Sequence, residues 1–121
     1  MESPYKGKTG LKRVWNALFY SFDGLAAAFR HEDAFRQEIF LACILIPTAL
    51  YLPLAPALQC VMIASVIAVL VVELLNSGIE AVTDRVSLED HALAKRAKDL
   101  GSAAVLLAAA NVVIVWALAL T

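Results

Sequence analysis

Charged residues are absent from two long stretches of the sequence. The first is the 34-residue run 39–72, and the second covers residues 100–121. As a single helix the first run would measure about 51 Å, whereas the hydrocarbon core of a bilayer is about 30 Å thick. Pro53 and Pro56 interrupt this run and remove two backbone donors, so we predict two helices joined by a tight turn. The pattern therefore predicts three membrane-spanning helices.

A different pattern precedes the first run. Apolar residues recur there at steps of three or four, which is the spacing of one helix face. They are Leu11, Val14, Trp15, Leu18, Phe22, Leu25 and Phe29. We predict an amphipathic helix over about residues 11–30, lying flat on the cytoplasmic membrane interface with the Trp15 indole at headgroup level. Packing against the protein's own cytoplasmic loops is the alternative, but short loops offer little apolar surface.

Together these segments predict a single all-α membrane domain over residues 1–121. Its membrane helices are expected at about residues 34–52, 57–84 and 97–120. The composition agrees, since 61% of the residues are hydrophobic, which is too apolar for an ordinary soluble domain. Every basic residue precedes the first span or lies between the second and third: Lys6, Lys8, Lys12, Arg13, Arg30, Arg36, Arg85, Lys95, Arg96 and Lys98. By the positive-inside rule, both segments are cytoplasmic.

The second predicted span ends in a row of polar side chains. Glu73, Asn76, Glu80 and Asp84 are three or four residues apart and therefore share one flank of a helix. Counted from Pro56, Glu73 lies about 26 Å along the axis, near the cytoplasmic edge of the bilayer. Acids in such a row repel one another, so helix stability does not explain the pattern. A solvated helix end accounts for Asp84 and Glu80, whereas Glu73 is the stronger functional candidate.

A bound divalent cation would relieve this repulsion, and Mg²⁺ needs few protein oxygens when it also holds phosphates. Further charged residues flank the spans: Glu32, Asp33 and Glu38 before the first, and Lys95, Arg96, Lys98 and Asp99 before the third. A solvated turn and charges that fix topology are the ordinary alternatives. Together the groups suit phosphoryl transfer to a membrane-resident substrate. The sequence contains neither a Walker loop nor a protein-kinase catalytic triplet.

Three segments carry a resemblance to a known family. They are "ELLNSGIEAVTDR", "AFRQE" before the first span, and "RAKDLGSAAV" entering the third. In this order and spacing, the chain from about Arg13 onward resembles the small prokaryotic diacylglycerol kinases. The resemblance implies transfer of the ATP γ-phosphate to diacylglycerol, giving phosphatidic acid. It also implies a homotrimer in the bacterial inner membrane, with a cytoplasmic N-terminus and sites shared between subunits.

The resemblance implies roles for individual residues as well. Glu73 matches the general base with Asn76 beside it, and Glu32 and Glu80 match the acids that hold Mg²⁺. Positions that match ATP contacts are Arg13, Tyr20, Glu32, Glu80, Glu89, Asp90, His91, Lys98 and Asp99. Positions on the lipid side are Arg13, Glu38, Glu73 and Ser102. The chain departs from the family at Asn16, Asp23 and Ala26, where basic residues are common, so its hold on anionic lipid is expected to be weaker.

Two other functions remain open at this point. A sister group of the same family phosphorylates undecaprenol with the same acidic core, although "AFRQE" here favours the diacylglycerol branch. A membrane protein that is not an enzyme, and whose acids bind or conduct cations, is the alternative from a different class. That second alternative gives Lys98 and Asp99 no purpose.

Overall fold

The computed structural model describes residues 10–86 and 91–121. These residues form four helices: α1 (Gly10–His31), α2 (Asp33–Tyr51), α3 (Pro56–Val86) and α4 (His91–Leu120). The helices α2 and α3, and residues Ala92–Leu120 of α4, are long and apolar enough to cross a membrane. The prediction of an all-α chain with an N-terminal helix and three potential spans is confirmed. The helix α4 begins before residue 97, so it carries the basic residues of the preceding loop on its first turns.

The helix α1 exposes its apolar stripe. Leu11 is 88% exposed and Trp15 61% exposed, while Ala28 is the buried residue of this helix. The described part of the chain therefore does not cover the stripe, as expected of a helix that lies against lipid. Its position on the membrane stays a prediction.

The other three helices pack side by side. The helix α3 packs most extensively on α4, while α2 packs on α3 and α1 on α2. Ala42 and Ala49 of α2 are buried, and such small side chains let helix backbones approach closely. Between α3 and α4, the indole Nε1 of Trp116 donates to the backbone oxygen of Met62 at 3.3 Å. These contacts set the lengthwise position of α3, and so of its polar end, relative to α2 and α4.

The turn between α2 and α3 contains the two prolines that the sequence singled out. The side-chain amide of Gln59 donates to the carbonyl oxygens of Ala49, Leu50 and Leu52, at 3.1, 3.3 and 3.2 Å. The last carbonyls of a helix lack partners within it, and Pro53 supplies no backbone N–H to meet them. Gln59 therefore caps α2 from the first turn of α3.

Candidate active site

Two carboxyl groups, one buried and one half-buried, lie close together where α2 and α3 meet. The side chain of Glu73 on α3 is only 6% exposed. Glu38 on α2 lies within hydrogen-bonding reach of it, so that the two acids form a pair across the helix interface. One oxygen of Glu38 is buried without a partner among the described residues. Burying a carboxyl group at a helix interface costs free energy, and a solvated helix end would not bury Glu73 in this way.

Asn76 is held in place next to this pair. It is 7% exposed, and its Nδ2 donates to Oε1 of Glu80 at 2.9 Å. Its Oδ1 is buried and has no partner among the described residues. Behind it lies Gly101 of α4, where a Cβ would overlap Oδ1 and stand 3.2 Å from Cγ. The missing side chain of Gly101 therefore lets α4 approach Asn76 closely.

Farther along α3, Lys98 of α4 meets the acidic row. The Nζ of Lys98 lies 2.5 Å from Oδ1 of Asp84, and its charge also interacts with Glu80. One turn earlier on α4, Lys95 pairs with Asp99 at 2.7 Å. Asp84 is 63% exposed, whereas Glu73 is buried, so the exposure of the acidic row increases toward the C-terminal end of α3. The Nζ of Lys98 has three N–H donors, so an anionic ligand can bind it beside Asp84 or in its place.

Glu32 occupies the joint between α1 and α2. It lines a groove of about 590 Å³ whose walls come from α1 and α3. The walls include Ser21 and Gly24 on one side and Ser77 and Gly78 on the other. The groove therefore places Glu32 opposite the turn of α3 that follows Glu73.

The remaining predicted site residues lie nearer the surface. Arg13 and Tyr20 are exposed on α1, seven residues apart and thus on one face, and Ser102 is exposed on α4. Glu89 and Asp90 lie outside the described residues. His91 begins α4, and its side chain is not described. The structure thus brings together Glu38, Glu73, Asn76, Glu80 and Lys98, and puts the expected ATP contacts of α1 on a separate helix.

The donor set is suited to a hard cation that also binds phosphate. Residues 10–86 and 91–121 hold no group of three or more His, Cys, Asp or Glu side chains that could bind a metal by themselves. The carboxylate of Glu80 is an oxygen donor of the kind Mg²⁺ prefers, whereas the Oδ1 of Asn76 is buried against Gly101. A site with so few protein ligands is suited to Mg²⁺, because Mg²⁺ can take its other ligands from phosphate and water.

Sequence reasoning missed two features of this site. It assigned Glu38 to the lipid side without pairing it with Glu73, and it did not notice Gly101. The glycine in "KDLGS" was a usable signal, because glycine inside a helix costs about 1 kcal/mol relative to alanine and often marks a close approach. The pairing of Glu38 depends on the register between α2 and α3, which the sequence does not supply.

Fold and site together define a multi-pass helical membrane protein with a buried carboxylate site at the end of its second span. Residues 19–120 match the family described as prokaryotic diacylglycerol kinase. A diacylglycerol kinase of Pseudomonas aeruginosa is 53% identical over 115 residues, covering 95% of this chain and 94% of the relative. Those of Haemophilus influenzae and Escherichia coli are 50% and 46% identical, covering 89% and 93% of this chain and 92% of each relative. The chain belongs to the prokaryotic diacylglycerol kinase family, and it is a kinase.

Proposed function

We propose that the protein transfers the γ-phosphate of ATP to the free hydroxyl of diacylglycerol at the cytoplasmic face of the bacterial inner membrane, giving phosphatidic acid. The observation that carries this proposal is the buried Glu73 carboxyl, about 26 Å along a membrane-length helix, with Glu38 and Asn76 around it. A base at that depth meets a lipid hydroxyl while the acyl chains stay in the bilayer. The family membership and the names of the relatives support the same substrate.

In this proposal Glu73 is the general base. It accepts the proton of the lipid hydroxyl as that oxygen attacks the γ-phosphorus, and the bond to the β-phosphate oxygen breaks to release ADP. Glu38 holds the Glu73 carboxyl in place from the facing helix. Asn76 orients Glu80 through the hydrogen bond from its Nδ2.

The charged residues near the exposed C-terminal end of α3 bind the nucleotide. Glu32 and Glu80 would hold Mg²⁺, which when bound neutralises charge on the phosphates. Lys98 exchanges Asp84 for a phosphate oxygen, which costs little because this ion pair is exposed to solvent. Arg13, Tyr20, His91 and Asp99, together with Glu89 and Asp90, are proposed contacts of the nucleotide. Ser102 is proposed to lie on the lipid side.

We further propose that the working enzyme is a homotrimer. In the single chain, large apolar side chains are exposed along α3 and α4, among them Leu75, Ile79, Leu106 and Leu107. The single chain buries Glu73 and Asn76 but leaves Glu80 and Asp84 more exposed, so neighbouring chains would cover the rest of the row. Chemical crosslinking in native membranes followed by mass determination tests the number of subunits.

The proposal is tested by phosphate transfer from γ-³²P-labelled ATP in mixed micelles with Mg²⁺. Diacylglycerol and undecaprenol are offered in separate reactions at the same mole fraction. Labelled phosphatidic acid as the main product supports the proposal. A clear preference for undecaprenol would assign the chain to the sister branch, and no label on either lipid from folded protein would favour a cation-binding role.

A further inference from the structure

The side chain of Arg36 bonds across the joint between α1 and α2, where the rings of Phe29 and Phe40 also meet edge to face. Glu32 breaks the helix with an extended backbone, φ −115° and ψ 109°. Arg36, one turn into α2, extends back across this break. Its Nη1 donates to the carbonyl oxygens of Phe29 at 2.8 Å and Arg30 at 3.0 Å, and its Nη2 donates to Asp33. A single guanidinium thus bonds to the last turn of α1 and the first turn of α2.

These bonds fix the direction in which α1 leaves α2. The carbonyls of Phe29 and Arg30 belong to the final turn of α1, where carbonyl oxygens have no partner in the helix. The planar guanidinium supplies several donors in a fixed arrangement, so it can bond to two carbonyls and a carboxylate together. A lysine has one nitrogen at the end of a flexible chain and cannot reproduce this arrangement.

The residue whose position depends most on this joint is Glu32. Its own backbone N–H donates to Ala28 of α1 at 2.9 Å, and its carbonyl accepts from the N–H of Arg36 at 3.2 Å. Glu32 lines the groove between α1 and α3, on the opposite side from Ser77 and Gly78. A change in the angle of the joint would therefore move the Glu32 carboxylate relative to the acids of α3.

We propose that Arg36 is a positioning residue for the phosphoryl-transfer site: by holding the joint, it sets the distance between the Glu32 carboxylate on one side of the groove and α3 on the other. The inference rests on the proposed function, because it gives Glu32 a share in holding the metal and nucleotide. In this inference Arg36 acts through Glu32 and not by contact with a substrate. Its effect is expected on the binding of metal with nucleotide and not on the binding of lipid.

The test compares Arg36→Gln and Arg36→Lys with Asp33→Asn, which removes the ion pair but leaves both carbonyl bonds. Arg36→Gln is expected to raise the Mg²⁺ concentration for half-maximal activity about tenfold, the factor for the loss of about one charged hydrogen bond. The KM for diacylglycerol is expected to stay within about twofold of wild type. Arg36→Lys should fall between wild type and Arg36→Gln, and Asp33→Asn should stay near wild type.

A measurement independent of turnover accompanies the kinetics. Binding of Mn²⁺ in the presence of ADP, followed by electron paramagnetic resonance, is expected to weaken about tenfold in Arg36→Gln, for the same reason. In a Glu32→Gln background, Arg36→Gln should add no further loss, because both changes act on one carboxylate. The proposal would be overturned if kcat fell equally for all substrates while Mn²⁺ binding stayed unchanged. Additive losses in the double variant would also overturn it.

These outcomes separate the inference from the function on which it rests. A wild-type protein that binds Mn²⁺ with ADP but phosphorylates no lipid would refute the proposed function, while the Mn²⁺ comparison would still test Arg36. An active wild type whose Arg36→Gln variant keeps its Mg²⁺ requirement would refute the inference alone. Size-exclusion profiles and helical circular dichroism of each variant establish that folded protein is compared.

Discussion

Placing an alanine at Gly101 tests how closely α3 and α4 must approach at the site. The added Cβ would overlap Oδ1 of Asn76, and it would stand 3.2 Å from Cγ. The Asn76 side chain is buried and its Nδ2 is bonded to Glu80 at 2.9 Å, so the amide cannot move away without breaking that bond. We therefore expect Gly101→Ala to displace the group that orients Glu80.

Two effects of opposite sign act on the stability of Gly101→Ala, whereas both the clash and its consequences lower activity. Overpacking a tight contact costs about 1–3 kcal/mol, and replacing a helical glycine by alanine recovers about 1 kcal/mol. The net loss of stability is then about 0–2 kcal/mol. A displacement of about 1 Å in a catalytic group can lower the rate about 100-fold, so activity should fall much more than stability.

Gly78 provides the matched control. It lies on α3 between Asn76 and Glu80, and a Cβ there meets no described atom within 4 Å. Gly78→Ala is expected to raise stability by up to about 1 kcal/mol, because no described side chain has to move to admit its Cβ. Both variants are compared by lipid phosphorylation rate and by thermal unfolding in the same detergent.

The double variant Asn76→Ala/Gly101→Ala isolates the contact. With Asn76 truncated, the Cβ at residue 101 has nothing to displace, so adding it should cause no further loss of activity. If Gly101→Ala kept wild-type activity, or lowered it equally with and without Asn76, the argument from close approach would be wrong.

Three further variants test other contacts. Gln59→Leu removes the cap on α2 and should lower stability by about 1–2 kcal/mol in denaturant titrations, with activity kept at low temperature; unchanged stability would contradict the cap. Trp116→Phe loses the bond to Met62 and should cost about 1 kcal/mol in the same titration, again without loss of activity; a large fall in activity would show a role beyond packing. Asp84→Asn frees Lys98 and should lower the KM for ATP about two- to fivefold at low salt, an advantage that fades as salt rises; an increased KM would show that Asp84 helps to bind the nucleotide.

The helices could be predicted from the sequence because the features that indicate them depend only on the order and spacing of residues along the chain. The charge-free runs, Pro53 and Pro56, and the spacing of the α1 stripe depend only on positions along the chain. The shared flank of Asn76 and Glu80 follows from helical periodicity, and their hydrogen bond confirms it. These features required no knowledge of how the helices pack.

The contacts between helices could not be predicted in this way. The pairing of Glu38 with Glu73 depends on how far α2 is shifted along α3, and the contact of Gly101 with Asn76 depends on the angle between α3 and α4. Arg36 is a further case, because its acceptors are backbone carbonyls of α1 that come within reach only after the chain bends at Glu32. Neither helix packing nor this bend has a signature in residue spacing.

The most direct test of the central claim is the rate of a single turnover in Glu73→Gln. The amide keeps the size of the side chain but accepts no proton at this position, so transfer of ³²P from ATP to diacylglycerol should fall at least about 1,000-fold. Binding of Mn²⁺ with ADP and the mass of the assembly should stay unchanged. Transfer within about tenfold of wild type would show that Glu73 is not the base, and the proposed chemistry of the site would have to be abandoned.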